Sequence, residues 1–314
     1  MLNLSYSSTA DARSCWKRFY YKDIVGYIPK KRESSLGVGT VIHECFDLHF
    51  NKASLQDVLT HIENSYNKII SEELNPNEVE RFTIDKSVCM GMWMSYPFSD
   101  MGFQEVLPEK KFEVKLGNMH GVKLVGRIDG LIKKDDKWWI REVKTTSLSQ
   151  QQFQGRAAVS YQASGYIYGI EKQEKIKVHG VLYDTIKRPL LRKRVTESAS
   201  EFADRIVADY ANPKNKDFYY DRYYSYRSDK EMEEFEIDMI KLAREIRTRK
   251  RKDDWYRNTD ACWTFGKECP YKRICWVDKP NDDMIDAYYE RRKNHEQLYS
   301  SGLRNVEASA GATE

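Results

Sequence analysis

The chain has 314 residues, 40% hydrophobic and 13% aromatic, enough for one large domain or two small ones around a real core. Its net charge of +4 does not mark it as a nucleic-acid binder, and no apolar run approaches the roughly 18 residues of a membrane span. No signal peptide is read at the N-terminus, so a reducing cytoplasm is expected and disulfides are not.

A first helix is predicted over about 7–20. It carries Cys15 in a basic, aromatic setting, Ser14-Cys-Trp-Lys-Arg-Phe-Tyr-Tyr21. A second helix, about 35–50, contains Gly37-Val-Gly-Thr-Val-Ile-His43. His43-Glu44 invites a zinc-protease reading, but Asp47 stands where the second histidine belongs. A helical insert is expected from 54 to 96. Cys45 and Cys89 read as small buried apolar residues.

Strands follow near 110–116, 122–133 and 137–145. Glu109 precedes the first and is a weaker site candidate. Val122-Lys-Leu-Val-Gly-Arg-Ile-Asp129 reads as a strand with a glycine kink, and Lys137-Trp-Trp-Ile-Arg-Glu142-Val-Lys144 as the next, with Lys134-Asp135-Asp136 turning between them. Side chains alternate along a strand, so Glu142 and Lys144 point one way and Val143 the other, into the packed side. Asp129 can meet them from the neighbouring strand. Two carboxylates and a lysine in that arrangement suit metal-assisted phosphodiester cleavage, because Mg²⁺ and Mn²⁺ take oxygen ligands and an ammonium can hold a water or offset developing charge. With 32% charged residues such a triplet also arises by chance, as a solvated hairpin edge.

Further on, Tyr161-Gln162-Ala-Ser-Gly-Tyr166 is predicted helical, with Gln162 and Tyr166 on one face at i,i+4. Strands near 176–184 and 191–195 and a helix over 199–210 come next. Asp217-Phe-Tyr-Tyr-Asp-Arg-Tyr-Tyr-Ser-Tyr226 reads as a strand with one aromatic face in the core; stacking of unpaired bases is its other reading. A helix over 229–250 leads into Cys262-x6-Cys269-Pro-Tyr-Lys-Arg-Ile-Cys275. The tail at 307–314 is expected to be disordered. Helices flanking a central run of strands give a mixed α/β sandwich. No G-x4-G-K-S/T motif is present, so no ATP motor is expected here.

Taken together, His43, Asp129, Glu142-Val-Lys144, Gln162-x3-Tyr166 and the cysteines make the chain resemble the RecB-like branch of the PD-(D/E)XK nuclease superfamily. The likeness is to its iron–sulfur members, the Cas4 and AddB-type exonucleases and their phage and viral relatives, over residues 4–276. The resemblance implies a restriction-endonuclease-like α/β core as a single domain over 1–306, and a metal-dependent exonuclease acting on single-stranded DNA ends in recombination, repair or replication. It implies that His43, Asp129, Glu142 and the Val143 carbonyl bind Mg²⁺ or Mn²⁺. Lys144 would act on the water, and Gln162 and Tyr166 would orient the strand or the lysine.

It also implies that Cys15, Cys262, Cys269 and Cys275 hold a [4Fe–4S] cluster joining the 255–280 segment to the N-terminus. Thiolate spacing alone leaves Zn²⁺ open, and six residues between Cys262 and Cys269 depart from the family's usual two. A helicase or recombination protein is the implied partner, in a bacterial or phage-infected cell, with no membrane. The competing readings are a noncatalytic DNA-binding subunit of a recombination or CRISPR-adaptation-type complex, and a zinc-stapled RNA-binding protein.

Overall fold

Asp135 and Asp136 adopt positive φ, 50° and 56°, the backbone of a two-residue hairpin turn whose twist matches right-handed strands. They turn the chain where Lys134 and Lys137 pair, as the sequence predicts. This hairpin is the centre of the fold in the computed structural model, which describes residues 2–30, 36–71, 74–98, 102–264, 266–277 and 280–292. The tail expected to be disordered, 307–314, lies outside the described residues.

In chain order the first elements are β1 (Leu2–Leu4), α1 (Tyr6–Ser14), α2 (Trp16–Phe19), β2 (Tyr27–Pro29), α3 (Val38–Phe50), α4 (Leu55–Ile70) and α5 (Pro76–Met94). The sheet strands β3 (Glu105–Lys115), β4 (Val122–Lys134) and β5 (Lys137–Thr146) follow, then α6 (Gln150–Ala158), α7 (Tyr161–Glu174), β6 (Val178–Lys187), α8 (Ala199–Ala211), α9 (Lys216–Tyr219) and β7 (Tyr220–Ser225). The chain closes with α10 (Asp229–Lys252), β8 (Trp263–Thr264), β9 (Lys267–Glu268), α11 (Lys272–Cys275), α12 (Asp282–Tyr288) and β10 (Tyr289–Arg291). Backbone proximity divides it into two units, Met1–Asn3 with Glu33–Ile240, and Leu4–Arg32 with Lys241–Glu314.

The first unit is a mixed α/β layer structure. Its sheet runs β1-β4-β5-β6-β7, with β3 also paired to β4. Only β5 and β6 among the registered pairs are parallel, and the chain crosses between them through α6 and α7. On one face Val143 and Ile186 join a core from α3, α4, α5 and α8 that includes Ile42, Phe46, Phe82, Trp93 and Ile206. On the other face Phe112 lies so close to two glycines that a Cβ on Gly126 or Gly169 would meet its ring at 2.4 or 2.3 Å. Gly126 therefore clears room for Phe112 between β4 and α7, and β4 runs unbroken through the expected kink.

The strand predicted at 191–195 does not form. Pro189 lacks the N–H that a ladder needs. The basic residues around it serve α5 instead, where Arg188 pairs with Asp85 at 2.7 Å and Lys193 with Glu80 at 2.7 Å. The helical insert is two helices, each started by a reciprocal cap, Ser54 with Asp57 and Asn75 with Glu78. The tyrosine-rich run is a strand only from Tyr220 to Ser225; its start belongs to α9, which buries Tyr219 in the core, and Tyr220 packs on that core.

The second unit brings together two segments distant in sequence. The helix expected over 7–20 breaks at Cys15, whose backbone is extended and whose Sγ accepts the Asn258 N–H at 3.3 Å. A π-helical turn over Tyr20–Ile24 follows α2. β2 pairs with β10, and Tyr21, Tyr27, Tyr271 and Tyr289 stack around Ile274 and Ile285. Three of these tyrosine tips donate to a carbonyl: Tyr271 to Tyr27 O and Tyr289 to Pro270 O, both at 2.8 Å, and Tyr21 to Ile274 O at 3.3 Å.

Candidate active site

The β4–β5 ladder ends at Gly130 and Arg141. One residue further the strands part, and the Asp129 carboxylate substitutes for a backbone acceptor, taking the Val143 N–H at 2.9 Å. The same oxygen lies 3.2 Å from His43 Nδ1 on α3. Glu142 and Lys144 project from the same side of β5, Oε1 to Nζ 2.5 Å, while the Val143 side chain is fully buried on the other. The Glu142 side chain is only 3% exposed and Lys144 33%, so the carboxylate is sealed and the ammonium reaches the mouth. The second Glu142 oxygen, Oε2, is buried and has no hydrogen-bond partner among the described residues.

Gln162 and Tyr166 belong to the same corner. Gln162 Nε2 donates to Tyr166 OH at 2.9 Å, one helical turn away. Burial, then the negative charges of Glu142 and Asp129, push the Tyr166 hydroxyl well above its ordinary range, so it remains a neutral hydrogen-bond donor. Glu109 has found a basic partner, Arg127, at 2.9 Å.

Asp47 was used by the sequence reading only to dismiss a zinc-protease motif, yet it lies one helical turn beyond His43. Burial, then Glu109 and Asp129, raise its carboxyl to about 7. Arg127 was not singled out either, although it precedes Asp129 by two residues and so shares its face of β4. Period-2 and i,i+4 spacing from Asp129 and His43 were the available signals for both.

The electrostatics are those of a site with too much negative charge. Burial and the neighbouring Asp129 raise Glu142 to about 7, against the pull of Lys144. Burial opposes ionisation of Asp129 too, but the His43 hydrogen bond and charge, Lys144 and the Val143 N–H together hold it below the usual carboxylate range. Burial disfavours the His43 cation, and the Asp129 hydrogen bond overcomes that and raises its pKa.

These shifts fix a pH dependence for the metal-free fold. Between about 4.5 and about 7 folded Glu142 keeps a proton that the unfolded chain has released, so stability falls as pH rises through that window. Asp47 acts with the same sign between 3.8 and about 7, and His43 loses its stabilising charge as pH rises through its raised pKa. Asp129 has the opposite sign, but its contribution is lost only in acid. In EDTA the unfolding temperature should therefore drop from pH 5 to pH 8, and Glu142→Gln should flatten the drop. A profile that is flat or rises in the parent protein contradicts the charge arrangement.

In the second unit Cys15, Cys262, Cys269 and Cys275 all line one small cavity. Burial raises the Cys269 and Cys275 thiols, and Cys15 and Cys262 add to the rise in both. All six cysteines are free thiols. Cys45 and Cys89 lie apart from the four, fully buried in the α3–α5 core, as expected of small apolar residues. Among the described residues no group of three or more His, Cys, Asp or Glu side chains forms a ready-made metal site. Also among the described residues, no helix is long and apolar enough to cross a membrane.

Comparison with known proteins bears on the fold and the family. A family model described as PD-(D/E)XK nuclease superfamily matches residues 3–276, well over half of the chain. No curated protein matches. Among solved structures, the crystal structure of a candidate exonuclease from Eubacterium rectale is similar at 11% identity and a TM-score of 0.45, covering 95% of this chain and 93% of that one.

Proposed function

The chain belongs to the PD-(D/E)XK nuclease superfamily, and on that premise we propose that it is a divalent-metal-dependent deoxyribonuclease that degrades single-stranded DNA from its ends. The observation that carries the metal requirement is Glu142 Oε2, a buried carboxylate oxygen without a partner beside a second carboxylate. An orphaned buried acceptor of this kind costs free energy unless a cation completes it. The donor set of oxygens plus one imidazole fits Mg²⁺ or Mn²⁺. His43, Asp129, Glu142 and the Val143 carbonyl would hold the ion.

When bound, the ion supplies positive charge at the phosphate and makes water a stronger nucleophile at neutral pH. The chain's own groups do the rest. Lys144 is protonated, because Glu142 beside it outweighs the burial that would neutralise it. It holds the attacking water and offsets charge on the phosphoryl oxygen. Water adds to phosphorus in line and gives up a proton to solvent, the P–O bond opposite breaks, and the departing oxygen takes a proton from solvent. Gln162 and the Tyr166 hydroxyl, already joined to each other, orient the phosphate or the lysine. Lys144→Ala should cut turnover by about 10²–10³ while metal affinity stays. Unchanged turnover at saturating Mn²⁺ would make the lysine structural. Incubation of end-labelled single strands and duplexes with Mg²⁺, Mn²⁺ and EDTA tests the function itself, and absence of metal-dependent cleavage rejects it.

The four cysteines of the second unit would hold a [4Fe–4S] cluster, with Zn²⁺ as the alternative, placing the chain in the iron–sulfur branch. What supports this is four thiols on one cavity, two of which raise the pKa of the other two. A thiolate-binding metal relieves that crowding. The group would staple residues near Cys15 to the 255–280 segment. Protein purified anaerobically from iron-replete cells should be brown with about four irons per chain. Cys15→Ala should be colourless, and Cys45→Ala and Cys89→Ala should stay coloured. One tight zinc in a colourless folded protein selects the alternative; neither metal sinks both. A helicase or recombination protein remains the partner proposed for such an enzyme.

A further inference from the structure

The second unit holds a cavity of about 410 Å³, within the range of small-ligand sites, that the catalytic reading leaves unused. We propose that it binds one unstacked nucleotide of single-stranded DNA, with the base against tyrosine faces and the phosphate on Lys17 and Arg257. The identity of the ligand rests on the deoxyribonuclease reading; the cavity and its chemistry do not.

Three tyrosines, Tyr20, Tyr21 and Tyr27, and two cations, Lys17 and Arg257, line it, and among the described residues no carboxylate does. The Tyr20 and Tyr21 ring centres are 5.5 Å apart, and Lys17 Nζ lies 5.0 and 5.3 Å from them. An anion with a flat aromatic part is the complement of that lining. The same unit repeats that chemistry outside the cavity lining. Arg257 also lies 5.0 Å over Trp276, which is 52% exposed, and Arg273 lies 4.3 Å over Tyr288. Exposed aromatics beside guanidinium groups are the platform on which unpaired bases stack without sequence preference.

Charge distribution supports the same ligand. Residues 4–32 and 241–314 carry 23 Lys and Arg against 15 Asp and Glu, a net of +8, which leaves −4 for the rest of the chain. The overall +4 thus hides a basic half, and that half contains the cavity. A duplex must first unpair and unstack a base, at a cost of a few kcal/mol, so a single strand is the favoured ligand.

The test is fluorescence anisotropy with a fluorescein-labelled 12-nucleotide oligodeoxythymidine in EDTA, using Glu142→Gln protein as parent so that cleavage is absent. The parent should bind the 12-mer. Tyr20→Leu should weaken binding about 5- to 100-fold, the loss expected for one stacked base. Tyr20→Trp, which keeps a stacking face, should bind like the parent, so a misfolded leucine variant does not remove the test. Lys17→Gln with Arg257→Gln should also lower the dependence of log affinity on log salt by about 0.7 for the one phosphate they hold. A 12-base-pair duplex should be insensitive to Tyr20→Leu.

A parent that does not bind the 12-mer, folded Tyr20→Leu and double-glutamine variants that bind it like the parent, or a duplex equally affected by Tyr20→Leu each overturn the site. Failures of the two readings separate cleanly. Metal-dependent cleavage by the native protein together with unaffected binding in the cavity variants removes the cavity alone. Binding lost in those variants, with no cleavage in Mg²⁺ or Mn²⁺, removes the nuclease reading alone.

Discussion

Glu142→Gln and Asp129→Asn should each reduce cleavage of labelled single strands by at least about 10³-fold, since each removes charge that a metal site cannot spare. Their effects on the metal-free fold should be opposite. Glu142 is sealed from solvent and raised to about 7, so at pH 8 the wild-type protein carries an ionised carboxylate that burial disfavours. Glutamine removes that cost, a stabilisation of at most about 3 kcal/mol at pH 8 that vanishes near pH 5. Asp129 is held ionised by His43, Lys144 and the Val143 N–H. Asparagine keeps an acceptor for Val143 but loses the charge, so Asp129→Asn should melt lower. Thermal melts in EDTA alongside cleavage assays give both readouts. Near wild-type cleavage in either variant would remove the catalytic assignment; destabilisation by Glu142→Gln at pH 8 would show that the glutamate is a structural ion pair with Lys144.

The largest stability effect is expected one residue before Glu142. Arg141 is fully buried, with 0% exposure, and pairs with Asp184 on β6 through Nε at 3.0 Å and Nη2 at 2.6 Å. Tyr96 donates to the same Asp184 oxygen, Arg222 lies 3.6 Å from the other, and the guanidinium stacks 4.2 Å over Phe46. Arg141→Met leaves Asp184 facing the core without its main partner, which typically costs about 3–5 kcal/mol. For a chain of this size that is a melting shift of about 5–8 °C. Asp184→Leu should cost as much, because it strands a guanidinium that already has one buried nitrogen, Nη1, without a partner. The double variant should recover part of the loss, which a double-mutant cycle by urea unfolding measures. Single variants that melt within about 1 kcal/mol of the parent would mean that water reaches this pair. Because Asp184 is the ladder partner of Val143, loss of the pair should also loosen β5 where Glu142 and Lys144 project.

Much of the candidate site is legible in the sequence. The Glu142–Lys144 pair follows from period-2 alternation, the Asp135-Asp136 turn from its residue types, and the Gln162–Tyr166 hydrogen bond from one helical turn. Each is a relation between residues a few positions apart. Where reading failed, the deciding partner was distant. The helix over 7–20 breaks because Cys15 meets Asn258. The strand at 191–195 is replaced by a coil whose Lys193 pairs with Glu80. Gly126 looked like a kink because the ring it accommodates, Phe112, comes from the paired strand.

By itself, then, the sequence determined the hairpin, the faces on which its charges lie and the family to which they belong, since backbone sterics and side-chain period act locally. Only the tertiary structure decided that Asp47 and Arg127 join the candidate site and that Arg141 and Asp184 are paired in the core. Those outcomes depend on which surfaces pack together and on the burial that results. The same carboxylate is an ordinary acid in water and a near-neutral one beside a second carboxylate in a sealed corner. No local pattern encodes that difference, because desolvation is a property of everything folded around the residue.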